Sequence, residues 1–61
     1  MTLRAGERLR VGGAEMLVHV IAGGVHSAGA SVGAGQTLAL ARDEAQVLSA
    51  VEKADLLIVS A

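Results

Sequence analysis

"ARDEAQVLSAVEKADLLIV", residues 41–59, decides the fold, because it holds the one segment that reads as a helix. Val47, Leu48, Val51 and Ala54 fall at i, i+1, i+4 and i+7, which places them on one apolar stripe at helical spacing. Asp43 and Glu44 stand in the first turn, where carboxylates suit the positive end of a helix dipole, and Lys53 stands in the last, where a cation belongs. Ala41 is a poor N-cap, a position that favours Ser, Thr or Asp. The spacing predicts a helix over about 42–54. Leu56-Leu57-Ile58-Val59 then reads as a final strand, short and partly β-branched.

Upstream, Thr37-Leu38-Ala39-Leu40 alternates as a short strand, and Glu15-Met16-Leu17-Val18-His19-Val20-Ile21 reads as the central one. Because side chains alternate along a strand, Met16, Val18 and Val20 share the core face, and Leu17 and His19 the wetter one. Leu9-Arg10-Val11 alternates in the same way, and Gly12-Gly13 marks a turn. Between the strands lies "AGGVHSAGASVGAGQ", residues 22–36, which carries five of the eight glycines and reads as a loop. The expected fold class is α+β: a β-β-loop-β-α-β module with one helix packed on a short, mainly antiparallel sheet. Residues 1–13 form an N-terminal arm and turn. Residues 14–61 form the small domain.

Composition narrows the function. A chain of 61 residues buries only about 60% of the surface its unfolded form exposes, so its core is thin. Cysteine is absent, which excludes disulfides and thiolate metal sites. Phe, Trp and Tyr are absent as well, so the core is built from aliphatic residues and alanine. Yet 52% of the residues are hydrophobic, too many for a disordered chain. An apolar chain with a thin core points to surface buried against a partner. Net charge is −1, and the only basic cluster, Arg4, Arg8 and Arg10, is interrupted by Glu7. Nucleic-acid binding normally shows as a basic stripe with stacking aromatics, so it is not expected here.

The glycine-rich stretch invites three chemical readings, and each fails on its residues. Gly24 to Ser31 has the spacing of a phosphate-binding GxxxxGK[ST] loop, but Ala30 stands where the lysine must be and no helix follows. Met16 to Ala41 carries no formal charge and is long enough to span a bilayer. Its second half is mostly Gly, Ala and Ser, however, and no Trp or Tyr anchors flank it. His19 and His26 are seven apart with no carboxylate between them, short of the three or four ligands a zinc site needs. Ser27 and Ser31 lack a GxSxG elbow. The expectation is a non-enzyme without cofactor or metal.

The second half, from Gly24 to Val59, resembles small phage head- and tail-associated structural proteins. The matching residues are Gly35-Gln36, Leu38, Leu40, Glu44-Ala45, Leu48, Ala54 and the strand Leu56–Val59. The resemblance covers about residues 16–60 and implies a strand-to-helix step that makes a small compact module. It departs at Ala41, where the group has Ser or Thr before the helix, and at Glu52-Lys53, where it favours a glycine between the helix and the last strand. It implies a virion structural protein, a capsid decoration or head-associated subunit on the capsid surface or at the head–tail region. Its partners are then a major capsid or other virion protein and copies of itself. The expected contacts are Leu3 in the arm, Val25 and Val32 in the loop, and Leu57 and Val59 on the last strand. A small cytoplasmic homodimeric binding or regulatory module is the alternative, with a membrane-spanning peptide behind it.

Overall fold

The segment read as a helix, about 42–54, is one strand between two turns, with the next strand starting at its end. A computed structural model describes residues 1–60 and places a strand at Ala45–Ala50 and another at Ala54–Ser60, with no helix among the described residues. The α+β expectation is therefore corrected to all-β. Leu48 and Ala50 are buried, while Val47 and Val51 are exposed. That is an alternation of period two. A helix over 42–54 would have put Val47 and Val51 on the same buried stripe as Leu48.

The carboxylates of this stretch close a turn instead of starting a helix. The Glu44 N–H donates to the Ala41 carbonyl at 3.1 Å, and Glu44 Oε1 accepts from the Ala41 N–H at 2.9 Å. The same device recurs twice. Arg4-Ala5-Gly6-Glu7 is closed by Glu7, whose Oε1 lies 2.7 Å from the Arg4 nitrogen. Gly33-Ala34-Gly35-Gln36 is closed by Gln36, whose Oε1 lies 2.7 Å from the Gly33 nitrogen. A Glu or Gln reaching back three residues to a free N–H also makes the capping box that opens a helix. Sequence spacing alone does not separate the two.

Eight strands follow in order: β1 (Thr2–Leu3), β2 (Arg8–Gly12), β3 (Met16–Ala22), β4 (Gly24–Ser27), β5 (Ala30–Gly33), β6 (Thr37–Leu40), β7 (Ala45–Ala50) and β8 (Ala54–Ser60). They form two antiparallel sheets, ordered β1-β8-β3-β6 and β2-β7-β4-β5, called A and B below. The pairs β1–β8, β2–β7, β3–β6 and β4–β5 are nested. The chain is thus one long hairpin with its tip between β4 and β5, wound so that successive strands on each arm alternate between sheets. This is the jelly-roll topology of eight strands in two sheets. The supposed arm belongs to it, since β1 pairs in sheet A and β2 in sheet B. The stretch read as a loop, 22–36, contains the β4–β5 hairpin.

Winding between sheets requires two close passages of backbone. At Gly12 (φ +122°) a Cβ would stand 2.2 Å from the Glu44 carbonyl oxygen, and at Gly23 (φ +81°) 2.1 Å from that of Lys53. Only glycine fits either place. The interior between the sheets holds Leu3, Val18, Val20, Leu40, Ala54 and Leu56 from A against Val11, Val25, Leu48 and Ala50 from B. With no side chain larger than Leu fully buried, the sheets close over small residues, and each fully buried Val or Leu stabilises by about 1.5–3 kcal/mol. Among the described residues Ser27 is the one buried polar residue, and its hydroxyl donates to Gln46 Oε1 on β7.

Candidate functional site

With inward positions committed to packing, the outward positions of the two sheets carry what the molecule shows to others. Cross-strand partners share a face, so register assigns each row. On sheet A one row is Val59–Leu17–Ala39, the next is Leu57–His19–Thr37, and the third holds Asp55 opposite Ala22. Between Val20 and Ala22 the register shifts. Ile21 is the extra residue of this bulge, and a bulge re-aims the side chain it carries.

Leu17, Ile21, Leu57 and Val59 are 48%, 57%, 53% and 52% exposed. Together they present on the order of 400 Å² of apolar surface, the size at which a patch on a monomer is often functional. Within it, His19 Nδ1 lies 2.9 Å from Thr37 Oγ1, so one ring nitrogen and one hydroxyl at its centre pair with each other. A shallow cleft of about 220 Å³ lies at one end of the face, lined by Glu15, Leu17, Ala39 and Val59 along with Met16, Leu40 and Ser60. All of these belong to β3, β6 and β8 or their ends, and none to sheet B.

Sheet B shows a different outer surface. Register aligns Arg8, Ser49, His26 and Ser31 across all four strands, with Arg10 opposite Val47 in a neighbouring row. His26 Nε2 lies 3.1 Å from Ser31 Oγ. Both histidines thus lie on outer faces, one on each sheet. Among the described residues no group of three His, Cys, Asp or Glu side chains converges to hold a metal ion, and no helix is long and apolar enough to cross a membrane.

The contact residues named from sequence separate by burial. Leu3 and Val25 are core residues, and Val32 packs against the core. Leu57 and Val59 lie on the outer face of sheet A. Leu17, Ile21 and Ala39 were not named, yet they complete that face. The signal for Leu17 was present, since alternation over 15–21 already set it beside His19. No signal in the sequence announced the bulge that exposes Ile21. No protein-family model matches the chain, and no curated protein or solved structure matches it either.

Proposed function

We propose that this protein is a non-enzymatic structural module that works by docking the outer face of sheet A on neighbouring subunits of a larger assembly, with a virion as its setting. The observation that carries the reading is the contiguous face of Leu17, Ile21, Leu57 and Val59 on a molecule whose interior is filled by aliphatic side chains. Burial against a partner offsets the cost of leaving such a face in water. It also compensates a small chain for its thin core. The chemistry-bearing side chains, His19, His26, Ser31, Ser49 and Arg8, lie on open sheet surfaces and not in a water-excluded pocket of the kind catalysis needs. The virion setting rests on the resemblance of residues 16–60 to phage head and tail proteins in their strand and turn residues, without the helix that group carries. The jelly roll, which recurs in capsid domains among many others, adds only an analogy of fold.

The test is gradient sedimentation of a lysate from the native source, with this chain followed by mass spectrometry because it has no Trp or Tyr to absorb. Migration with particles of megadalton size through a high-salt wash is expected, since apolar contacts persist where charge pairing is screened. A chain found only at the top of the gradient overturns the reading.

A further inference from the structure

We infer that the free edge of β6 takes an extended, uncharged segment of a partner chain as a fifth strand of sheet A. The inference rests on the docking reading above and names the form of what docks. In an antiparallel sheet every second residue of an edge strand turns its N–H and C=O away from its neighbour and towards solvent. Hydrogen bonds at the strand ends fix which residues these are.

On three of the four edges the open groups are few, closed or guarded. Met1 and Leu56 exchange both bonds, at 2.9 and 2.7 Å, so on β1 Leu3 faces β8 and Thr2 alone opens outward. On β2 the Ala50 N–H donates to the Glu7 carbonyl at 2.9 Å, and the Gly13 N–H to that of Glu44 at 3.1 Å. Leu9 and Val11 therefore face β7, and the open residues are Arg8 and Arg10, then Gly12 at the passage between sheets. Charged side chains along an edge deter an incoming strand. On β5 the two-residue turn at Ala28-Gly29 makes Ser27–Ala30 a bonded pair, which leaves Ser31 and Gly33 outward. Gln36 closes Gly33, accepting from its N–H at 2.7 Å through Oε1 and donating to its carbonyl at 3.0 Å.

The edge of β6 is neither closed nor guarded. The Val20 N–H donates to the Gln36 carbonyl at 3.0 Å. Counting on from that bonded pair sets Leu38 and Leu40 towards β3, and Thr37 and Ala39 away from it. These two residues offer two N–H and two C=O groups. Both are exposed, and the whole run from Met16 to Ala41 carries no formal charge. Backbone bonds of this kind give an added strand its affinity, and pockets for alternate side chains give its specificity. A residue opposite Ala39 extends the row Val59–Leu17–Ala39, which lines the cleft of about 220 Å³. Its neighbour opposite Leu38 turns to the inner side, where Leu38 packs against the core. Apolar side chains suit both places. Two open residues are too short a contact to hold two rigid sheets edge to edge, since specific interfaces bury about 1,200–2,000 Å². A flexible arm can follow the edge and lay its side chains on the adjoining face, so the occupant is an arm of another subunit.

A full chain of 61 residues is within reach of chemical synthesis, so single N–H groups can be methylated. In the free protein, amide hydrogen exchange should be fast at Thr37 and Ala39 and slow at Leu38 and Leu40. The binding probe is the synthetic peptide acetyl-Lys-Thr-Val-Thr-Val-Thr-amide, its Lys added for solubility, followed by amide NMR shifts. It should bind with a dissociation constant below about 1 mM, the weak end for four backbone bonds. Exchange at Thr37 and Ala39 should then slow, with Arg8 and Arg10 unmoved. N-methylation of Ala39 should weaken binding about tenfold, while N-methylation of Arg10 leaves it within about twofold. Both N–H groups point to solvent, so both variants should fold, which circular dichroism melts check.

Slow exchange at Thr37 and Ala39 in the free chain overturns the inference, because the edge is then already paired, by a second copy or otherwise. A peptide that fails to bind, shifts β2 instead, or binds the Ala39-methylated chain equally well also overturns it. If the chain sediments with a particle yet takes no peptide at β6, the inference falls and the proposed function stands. If the peptide binds at β6 and the chain stays at the top of the gradient, the edge is a strand acceptor and the proposed function falls.

Discussion

The two sheets have nearly the same inner face and opposite outer ones. Inward, each offers a short series of Val, Leu and Ala. Outward, sheet A offers Leu17, Ile21, Leu57 and Val59 around one bonded His–Thr pair, and sheet B a polar row of Arg8, Ser49, His26 and Ser31. Packing explains the inner faces completely. It explains nothing about the outer difference, because an antiparallel sheet with one solvated face normally alternates apolar and polar residues. Sheet B follows that pattern except at Val47, which is 49% exposed opposite Arg10 on its outer face. Sheet A departs from it at four positions, and the departure is where function is to be sought.

The largest expected effect breaks both sheets at once. Gly12→Ala and Gly23→Ala each place a Cβ about 2 Å from a carbonyl oxygen, and neither neighbour is a flexible side chain that can swing away. The backbone at these passages from one sheet to the other must move, at positive φ values that L side chains disfavour. We expect no cooperative melt for either variant. A cooperative melt within a few degrees of the natural chain's shows that the sheets do not approach so closely there.

The next effect separates inner from outer positions with one residue type. Leu48 is buried and Leu57 is half exposed. Leu48→Ala should cost about 2–5 kcal/mol, the range for a buried leucine. In the monomer Leu57→Ala should change stability by less than about 0.5 kcal/mol, as surface substitutions do. Urea titrations at low micromolar concentration measure both. Equal losses mean that Leu57 packs within its own chain and does not belong to a free face.

These contrasts also show how much of the molecule was legible in sequence. Alternation placed strands at 9–11, 15–21, 37–40 and 56–59, and the structure has strands over all four. It even assigned Val18 and Val20 to the core and Leu17 and His19 to the other side. The hairpin of β4 and β5 was missed because its inward positions, Val25, Ser27 and Val32, include only two large apolar residues among Gly, Ala and Ser. Period two is too dilute there to register. The stretch 42–54 was misread because Val47, exposed on sheet B, imitates a helical stripe beside Leu48, and because Glu44 in an x-x-x-Glu turn imitates a helix start. Of the outer face of sheet A, Leu57 and Val59 were named. Ile21 depends on a bulge that only pairing register defines.

A smaller effect tests that imitation. If Glu7, Gln36 and Glu44 close turns, then truncating each to alanine frees one N–H and removes one turn closure, at about 0.5–1.5 kcal/mol apiece. The three losses should be comparable, although Glu7 precedes a strand of sheet B, Gln36 a strand of sheet A, and Glu44 the strand once read as a helix. A helix at 42–54 would instead make Glu44→Ala lower the ellipticity at 222 nm selectively. Three similar shifts in melting temperature with unchanged spectra are the expected result.

The smallest effect concerns the tip of the wound hairpin and runs in the stabilising direction. Ala28 and Gly29 join β4 to β5 as a two-residue turn with φ of +51° and +79°, the type I′ geometry that asparagine followed by glycine fits best. Alanine in the left-handed region carries a steric cost of roughly 1–2 kcal/mol, which asparagine lowers by bonding locally to its own backbone. Ala28→Asn should therefore raise stability by about 0.5–1 kcal/mol, a few degrees in melting temperature for a chain of this length. Because the tip is exposed and lies on sheet B, not on the face that carries Leu17 and Leu57, the same variant should leave docking through that face untouched. A gain in stability with unchanged sedimentation alongside the particle keeps the tip's geometry and the outer face of sheet A as separate properties. A loss of that co-sedimentation means that the contact reaches the tip, and the division of labour between the two sheets then fails.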